Sequence, residues 1–114
     1  QMEKIKKIIN LKYKITKKYK TFFKNKHEIQ FIDQPKHCKS NFWLNTIRIK
    51  NLNISKRNKL LNILNYKDSM NCRPVWNLIH NLPMFRKCPK SNLSNAKKIE
   101  KEFITLPSSP IYGK

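Results

Sequence analysis

Phe42 to Lys50 reads Phe-Trp-Leu-Asn-Thr-Ile-Arg-Ile-Lys, and this stretch decides the fold class. Leu44, Thr46, Arg48 and Lys50 alternate against Trp43, Asn45, Ile47 and Ile49, and strand-forming residues dominate. A period of two sends successive side chains to opposite faces, so the run reads as a half-buried strand. Just upstream, Glu28 to Asp33 (EIQFID) is a shorter strand with Ile29, Phe31 and Ile32 as its apolar set, ended by Gln34-Pro35. The polar residues 36–41 form the loop between the two.

Helical spacing takes over on either side. Ile5, Ile8, Ile15, Tyr19 and Phe22 make one apolar stripe, which predicts a single long helix over residues 1–25. Ser55 is the expected cap of a second helix at 55–66, with Leu60, Leu61 and Leu64 facing inward. Asn71 to Val75 is a short extended piece, where Pro74 turns Arg73 away from helix and towards an edge strand or a turn. Residues 76–90 hold aromatics, two prolines and a histidine without a clean period, which suits a packed, irregular loop. A third helix is expected at 94–103, capped by Ser94, with Ala96, Ile99 and Phe103 on one face. The last residues (ITLPSSPIYGK) read as an extended tail. Strands interleaved with helices in this order predict an α+β layer, a small and mainly antiparallel sheet with helices packed on one face.

The length of 114 residues suits one domain. The formal net charge is +20, from 26 Lys and Arg against 6 Asp and Glu. Such a balance points either to a polyanion partner or to codon bias. Of the basic residues 22 are Lys and four are Arg, and Lys, Asn and Ile together make up 50 of 114 positions. All three residue types have AT-rich codons, and nucleic-acid interfaces favour the Arg fork that is scarce here, so the composition speaks against nucleic acid as a partner. Ten lysines in the first 26 residues lie mostly off the apolar stripe, as a solvated helix face would place them.

Three cysteines without close spacing (Cys38, Cys72, Cys88) read as reduced thiols in a cytoplasmic protein, and no spacing of Cys and His supports a metal site. No apolar run approaches the ~20 residues of a membrane span, and no signal-peptide pattern is present. A single glycine excludes a glycine-rich phosphate loop within this segment. The six acids are scattered, so no carboxylate pair of the glycosidase kind stands out, and Ser108 and Ser109 lack the elbow of a serine hydrolase. Gln1 opens the chain with the helical pattern already running, which suggests a fragment.

Three stretches belong together: Ser40-Asn41-Phe42-Trp43-Leu44-Asn45; Arg73-Pro74-Val75-Trp76-Asn77-Leu78-Ile79-His80, continued by Leu82-Pro83-Met84-Phe85 and Cys88-Pro89; and Leu106-Pro107-Ser108-Ser109 after a helix. In order and spacing they resemble the C-terminal region of the DegT/DnrJ/EryC1/StrS sugar aminotransferases, most closely the branch acting in exopolysaccharide and legionaminic-acid-type sugar biosynthesis. The resemblance implies the small C-terminal domain of a fold-type I enzyme, similar to aspartate aminotransferase. The cofactor would be pyridoxal 5'-phosphate, held as a Schiff base by a lysine of a large domain upstream of Gln1. It also implies a homodimer and a ping-pong transfer of an amino group, usually from glutamate, to a nucleotide-linked keto sugar. None of the 22 lysines matches the cofactor-lysine motif, so no catalytic residue is carried over and the segment alone should not transaminate.

Arg73 leads the substrate-binding candidates, because its fork suits phosphate or carboxylate; the alternative is a surface Arg beside a turn. His80 is a candidate for a sugar hydroxyl or phosphate, or a loop His satisfied by backbone. Trp76 either stacks on a sugar or base or anchors its loop. Asn41 and Trp43 stand before the strongest strand, where the Asn fixes a turn or reaches into the cleft. Cys72, Cys88 and Met84 read as packing residues. The rival functions are a small basic nucleic-acid-binding module and an inactive remnant.

Overall fold

The computed structural model describes residues 2–66 and 69–114. Gln1 and Asp68, counted above at the head of the first helix and among the scattered acids, lie outside them. A short 3-10 turn at Met2–Lys4 leads into α1 (Ile5–Phe23), so the long helix is shorter at both ends than its apolar stripe predicts. There follow β1 (Ile29–Ile32), β2 (Asn45–Ile49), α2 (Ile54–Tyr66), β3 (Arg73–Pro74), α3 (Ser94–Glu102) and β4 (Phe103–Leu106).

The four strands form one antiparallel sheet in the order β1-β2-β4-β3. The register pairs Ile29 with Ile49, Phe31 with Ile47, Ile47 with Ile104 and Asn45 with Leu106. These residues therefore share one face, and α1 and α2 cover it. Ile47, Leu61, Cys72, Ile104 and Leu106 are buried at its centre, with Tyr19 and Phe23 of α1 and Leu60 and Leu64 of α2 packed against them. Burying an aliphatic side chain of this size stabilises by about 1.5–3 kcal/mol, so this layer holds the fold together. The opposite face carries Gln30, Thr46, Arg48, Thr105 and Arg73.

The tail expected to be merely extended supplies β4, which lies between β2 and β3, and Ile104 is its most deeply buried residue. Pro74 has no N–H to give, and β3 sits at the edge of the sheet, as a strand with proline must.

The strand from Phe42 begins three residues late, at Asn45. The cause is local: the Phe42 N–H donates to Ser40 Oγ (3.0 Å) and the Trp43 N–H to Asn41 Oδ1 (3.0 Å). Such side-chain bonds compete with the ladder and turn the chain. Phe42 takes a left-handed φ of 47°, buries its ring edge-on against Tyr13 (5.2 Å between centroids), and leaves Trp43 exposed.

The expected helix caps shift as well. Asn53 caps α2 by accepting the Lys56 N–H (2.8 Å), and Ser55 lies inside the first turn. Asn92 accepts the Ser94 N–H (2.9 Å), and Ser94 caps nothing with its side chain.

On α3, Ile99 is exposed and the buried residues are Glu100 and Glu102. Distant hydrogen-bond donors explain the reversal. Arg57, buried on α2, donates to the Glu100 carbonyl, while Glu100 Oε1 accepts the Leu78 N–H (3.3 Å). Arg48 Nε pairs with Glu102 Oε2 at 2.7 Å, and the Asn51 N–H donates to Glu102 Oε1 at 3.3 Å. The Arg48 bond holds the Glu102 carboxyl below its usual range.

Residues 76–90 form two 3-10 turns, Ile79–Asn81 and Pro83–Phe85, and they are irregular but not packed. Trp76, Ile79 and Met84 are largely exposed, as is Cys88, so of the three expected packing residues only Cys72 is buried.

Candidate functional site

Three elements build a cleft at the β4–β3 edge of the sheet. The turn ahead of β2 contributes Trp43 and Leu44; β3 and its flanks contribute Asn71, Arg73, Val75 and Trp76; the residues after β4 contribute Pro107, Ser108, Ser109 and Tyr112. The cleft encloses about 420 Å³, a size that suits a small ligand. Among the described residues that line it, one is charged, Arg73, and none is a lysine.

Arg73 is positioned through its backbone. Asn65 of α2 grips Cys72 twice, accepting its N–H through Oδ1 and donating to its carbonyl from Nδ2, both at 2.8 Å. Next along the chain, Thr105 Oγ1 donates to the Arg73 carbonyl at 3.0 Å. These bonds occupy the main chain and leave the guanidinium exposed at the cleft. Among the described residues it makes no ion pair.

The rings of Trp43 and Trp76 lie 6.4 Å apart with a tilt of 38°, and both are mostly exposed. Two large aromatics left open to water beside a free guanidinium offer a surface for a planar or sugar ring and a fork for an anion.

Beneath the cleft runs a buried polar layer that ties its walls to α1. Asn45, 1% exposed, receives the Thr16 hydroxyl on Oδ1 (2.8 Å), and its Nδ2 and backbone N–H both donate to Ser108 Oγ (3.1 and 2.7 Å). Ser108 passes its own proton to the Leu106 carbonyl at 2.9 Å, so this hydroxyl is fully engaged. Lys12 reaches the same place, with Nζ donating to the carbonyls of Ser108 (2.7 Å), Phe42 (3.4 Å) and Trp43 (3.4 Å), and burial lowers its pKa.

The structure thus brings Trp43, Arg73 and Trp76 together and separates the other two candidates from them. His80 lies on the 3-10 turn at Ile79–Asn81, in a separate depression with Leu78, Phe85 and Leu93. Asn41 closes the turn onto Trp43 and lines a shallow surface beside Tyr13 and Ser40.

Lys12, Thr16, Asn45 and Tyr112 were not singled out from the sequence. A signal existed for Asn45: it is the one polar residue on the face of Ile47 and Ile49, and a polar residue at a core position must find partners.

Aminotransferase structures share this architecture. TlmJ of Streptoalloteichus hindustanus superposes with a TM-score of 0.82 at 14% identity, covering 97% of this chain and 29% of its own. PseC of Helicobacter pylori, an aminotransferase involved in the biosynthesis of pseudoaminic acid, gives 0.85 at 16% identity, over 96% of this chain and 30% of its own. Spr1654 of Streptococcus pneumoniae, named as a candidate sugar aminotransferase and solved in both PLP and PMP forms, gives 0.81 at 17% identity, over 96% and 28%. The chain therefore spans under a third of the length of these structures, and it has the fold of part of a fold-type I aminotransferase. No curated protein is significantly similar to it in sequence. The family match, in contrast, is continuous from residue 1 to residue 113, and it encloses the turn, the edge strand and the Leu106–Ser109 segment that form the cleft: the chain belongs to the DegT/DnrJ/EryC1/StrS aminotransferase family.

Proposed function

We propose that this chain is the C-terminal small domain of a pyridoxal-phosphate-dependent aminotransferase that moves an amino group, from glutamate, onto a nucleotide-linked keto sugar. The product serves surface-polysaccharide synthesis of the legionaminic-acid type, in a cytoplasmic homodimer. The observation that carries the proposal is the cleft in which Trp43, Arg73 and Trp76 meet within a family-matched chain. The guanidinium offers a two-pronged donor to a diphosphate or carboxylate, and the tryptophans offer faces to the sugar or base.

The cleft residues do not fit the cofactor itself. Among the described residues, no lysine lines the cleft to bind an aldehyde, and no Asp or Glu lines it to face a pyridine nitrogen. In this reading the cofactor is attached in the large domain, and this domain's part is to bind and orient the substrate.

The test is an assay of the complete gene product containing these residues, with glutamate and keto sugar nucleotides. Transfer yields 2-oxoglutarate and the amino sugar in equal amounts, whereas the 114-residue chain alone yields neither. Replacing Arg73 by Lys loses the paired bonds and should raise KM by about tenfold, roughly 1.4 kcal/mol of binding. Absence of amino transfer from the complete protein would overturn the proposal.

A further inference from the structure

We infer that Lys12 is a positioning residue for the cleft: its ammonium locks the two loops that form the walls to α1 and so sets Trp43 against Trp76. Three observations support this. First, the ammonium has three N–H donors, and three carbonyls surround it, those of Phe42, Trp43 and Ser108. Two of these belong to the turn before β2 and the third to the segment after β4, so a single cation bridges both walls.

Second, the N–H bonds of the Trp43 turn are local. The Phe42 N–H goes to Ser40 and the Trp43 N–H to Asn41, which shape the turn, while Tyr13 Oη of α1 anchors it at the Ser40 carbonyl (2.9 Å), three residues before the tryptophan. The Phe42 ring against Tyr13 holds the residue before the tryptophan, and Lys12 is what holds the main chain of Trp43 itself, among the described residues. Phe42, at φ 47°, occupies a backbone region that bulky residues avoid, and such a conformation persists only where its surroundings hold it.

Third, Lys12 is exceptional among the lysines. Of those described, it and Lys20 alone are not exposed, and Lys20 is paired with Asp33 at 2.6 Å. Among the described residues Lys12 faces only carbonyl dipoles, and burial works against its charge. A lysine whose sole task was solubility would not be drawn into such a place.

The inference stands apart from the substrate reading, because its test needs no ligand. Trp43 and Trp76 are the two tryptophans of the chain, so exciton coupling in circular dichroism reports this pair alone. The unaltered chain is expected to show a couplet that disappears in Trp76→Phe. Lys12→Met should lose most of it while the helical signal remains, and Lys12→Arg, which keeps a cation with several donors, should retain it. If Lys12→Met fails to fold, Lys12→Gln, with one amide to share among three carbonyls, takes its place and should show a weakened couplet. An undiminished couplet in a folded Met or Gln variant, its loss in the Arg variant, or its absence from the unaltered chain would each overturn the inference. Failure of the aminotransferase assay would leave this result unaffected.

Discussion

Two proline-bearing segments of similar composition meet opposite fates in this molecule. Residues 76–90 and 104–113 each mix aromatic, aliphatic and proline residues without periodicity. The second is strapped to the core: Ile104 and Leu106 enter the sheet, Tyr19 Oη donates to the Pro107 carbonyl (2.9 Å), Lys12 holds Ser108, and Gly113 lies directly on the backbone of α1. The first is held mainly by its own 3-10 turns, through bonds such as Leu82 N–H to Ile79 O and Phe85 N–H to Leu82 O at 3.0 Å. It touches the core through the Leu78 N–H on Glu100, and Trp76, Ile79 and Met84 stand in water. Composition gave both the same chance of order; a partner surface on α1 and β2 existed for one alone.

This contrast breaks first if the tail is not the keystone it looks to be. Ile104 is fully buried between β2 and β3, and Ile104→Ala should cost about 2–5 kcal/mol, measured by urea unfolding. A cost near that of a surface substitution would mean that β4 is dispensable. Gly113→Ala comes next. Its φ is not left-handed, so the constraint is space: a Cβ there collides with the Leu11 carbonyl. The expected cost is about 1–3 kcal/mol. Undocking of Pro110–Gly113 caps it, so Tyr112 should become more exposed to solvent in the same variant.

Tyr19→Phe sharpens the comparison through pH. Burial first, and then nearby Cys72 and Tyr112, push the Tyr19 hydroxyl up to about 12 from an ordinary value of 10.0. A folded-state value above the unfolded one means that the folded chain keeps a proton that the unfolded chain gives up. The stability linked to this proton is complete below about pH 10 and is lost as pH rises towards 12. Removing the hydroxyl should cost about 1 kcal/mol at neutral pH and flatten the alkaline fall in unfolding midpoint. An unchanged alkaline fall would mean that the Tyr19 hydroxyl is not buried beneath the tail.

The same contrast explains what was legible in the sequence. The α+β class, both leading strands and the edge position of Arg73 follow from alternation and from proline's missing N–H, which are local properties. The strand β4 was not legible, because only four residues carry it and prolines and serines follow at once. Its burial comes from β2 and β3 on either side, a long-range fact. Glu102 and Glu100 face inward against helical pattern for a similar reason: Arg48 and the Leu78 N–H, 54 and 22 positions away, wait for their carboxylates. Within the cleft, Trp43, Arg73 and Trp76 were named from motif and residue chemistry. Lys12 was hidden among ten lysines in the first 26 residues, since nothing local marks the one that turns inward.

The smallest effect is expected where the chain is least held. Met84 is 71% exposed on the turn at Pro83–Phe85, and its neighbour Phe85 is 42% exposed. Replacing an exposed side chain that lacks a cap, a cavity or a buried bond changes stability by less than about 0.5 kcal/mol. Met84→Ser should therefore leave the unfolding midpoint of the 114-residue chain where it is, and it should reduce any self-association, because a thioether in water is the sticky part of this loop. A cost comparable to that of Tyr19→Phe would show that the loop finds a packing surface in solution, and the two proline-bearing segments would then differ in the strength of their partners and not in having one.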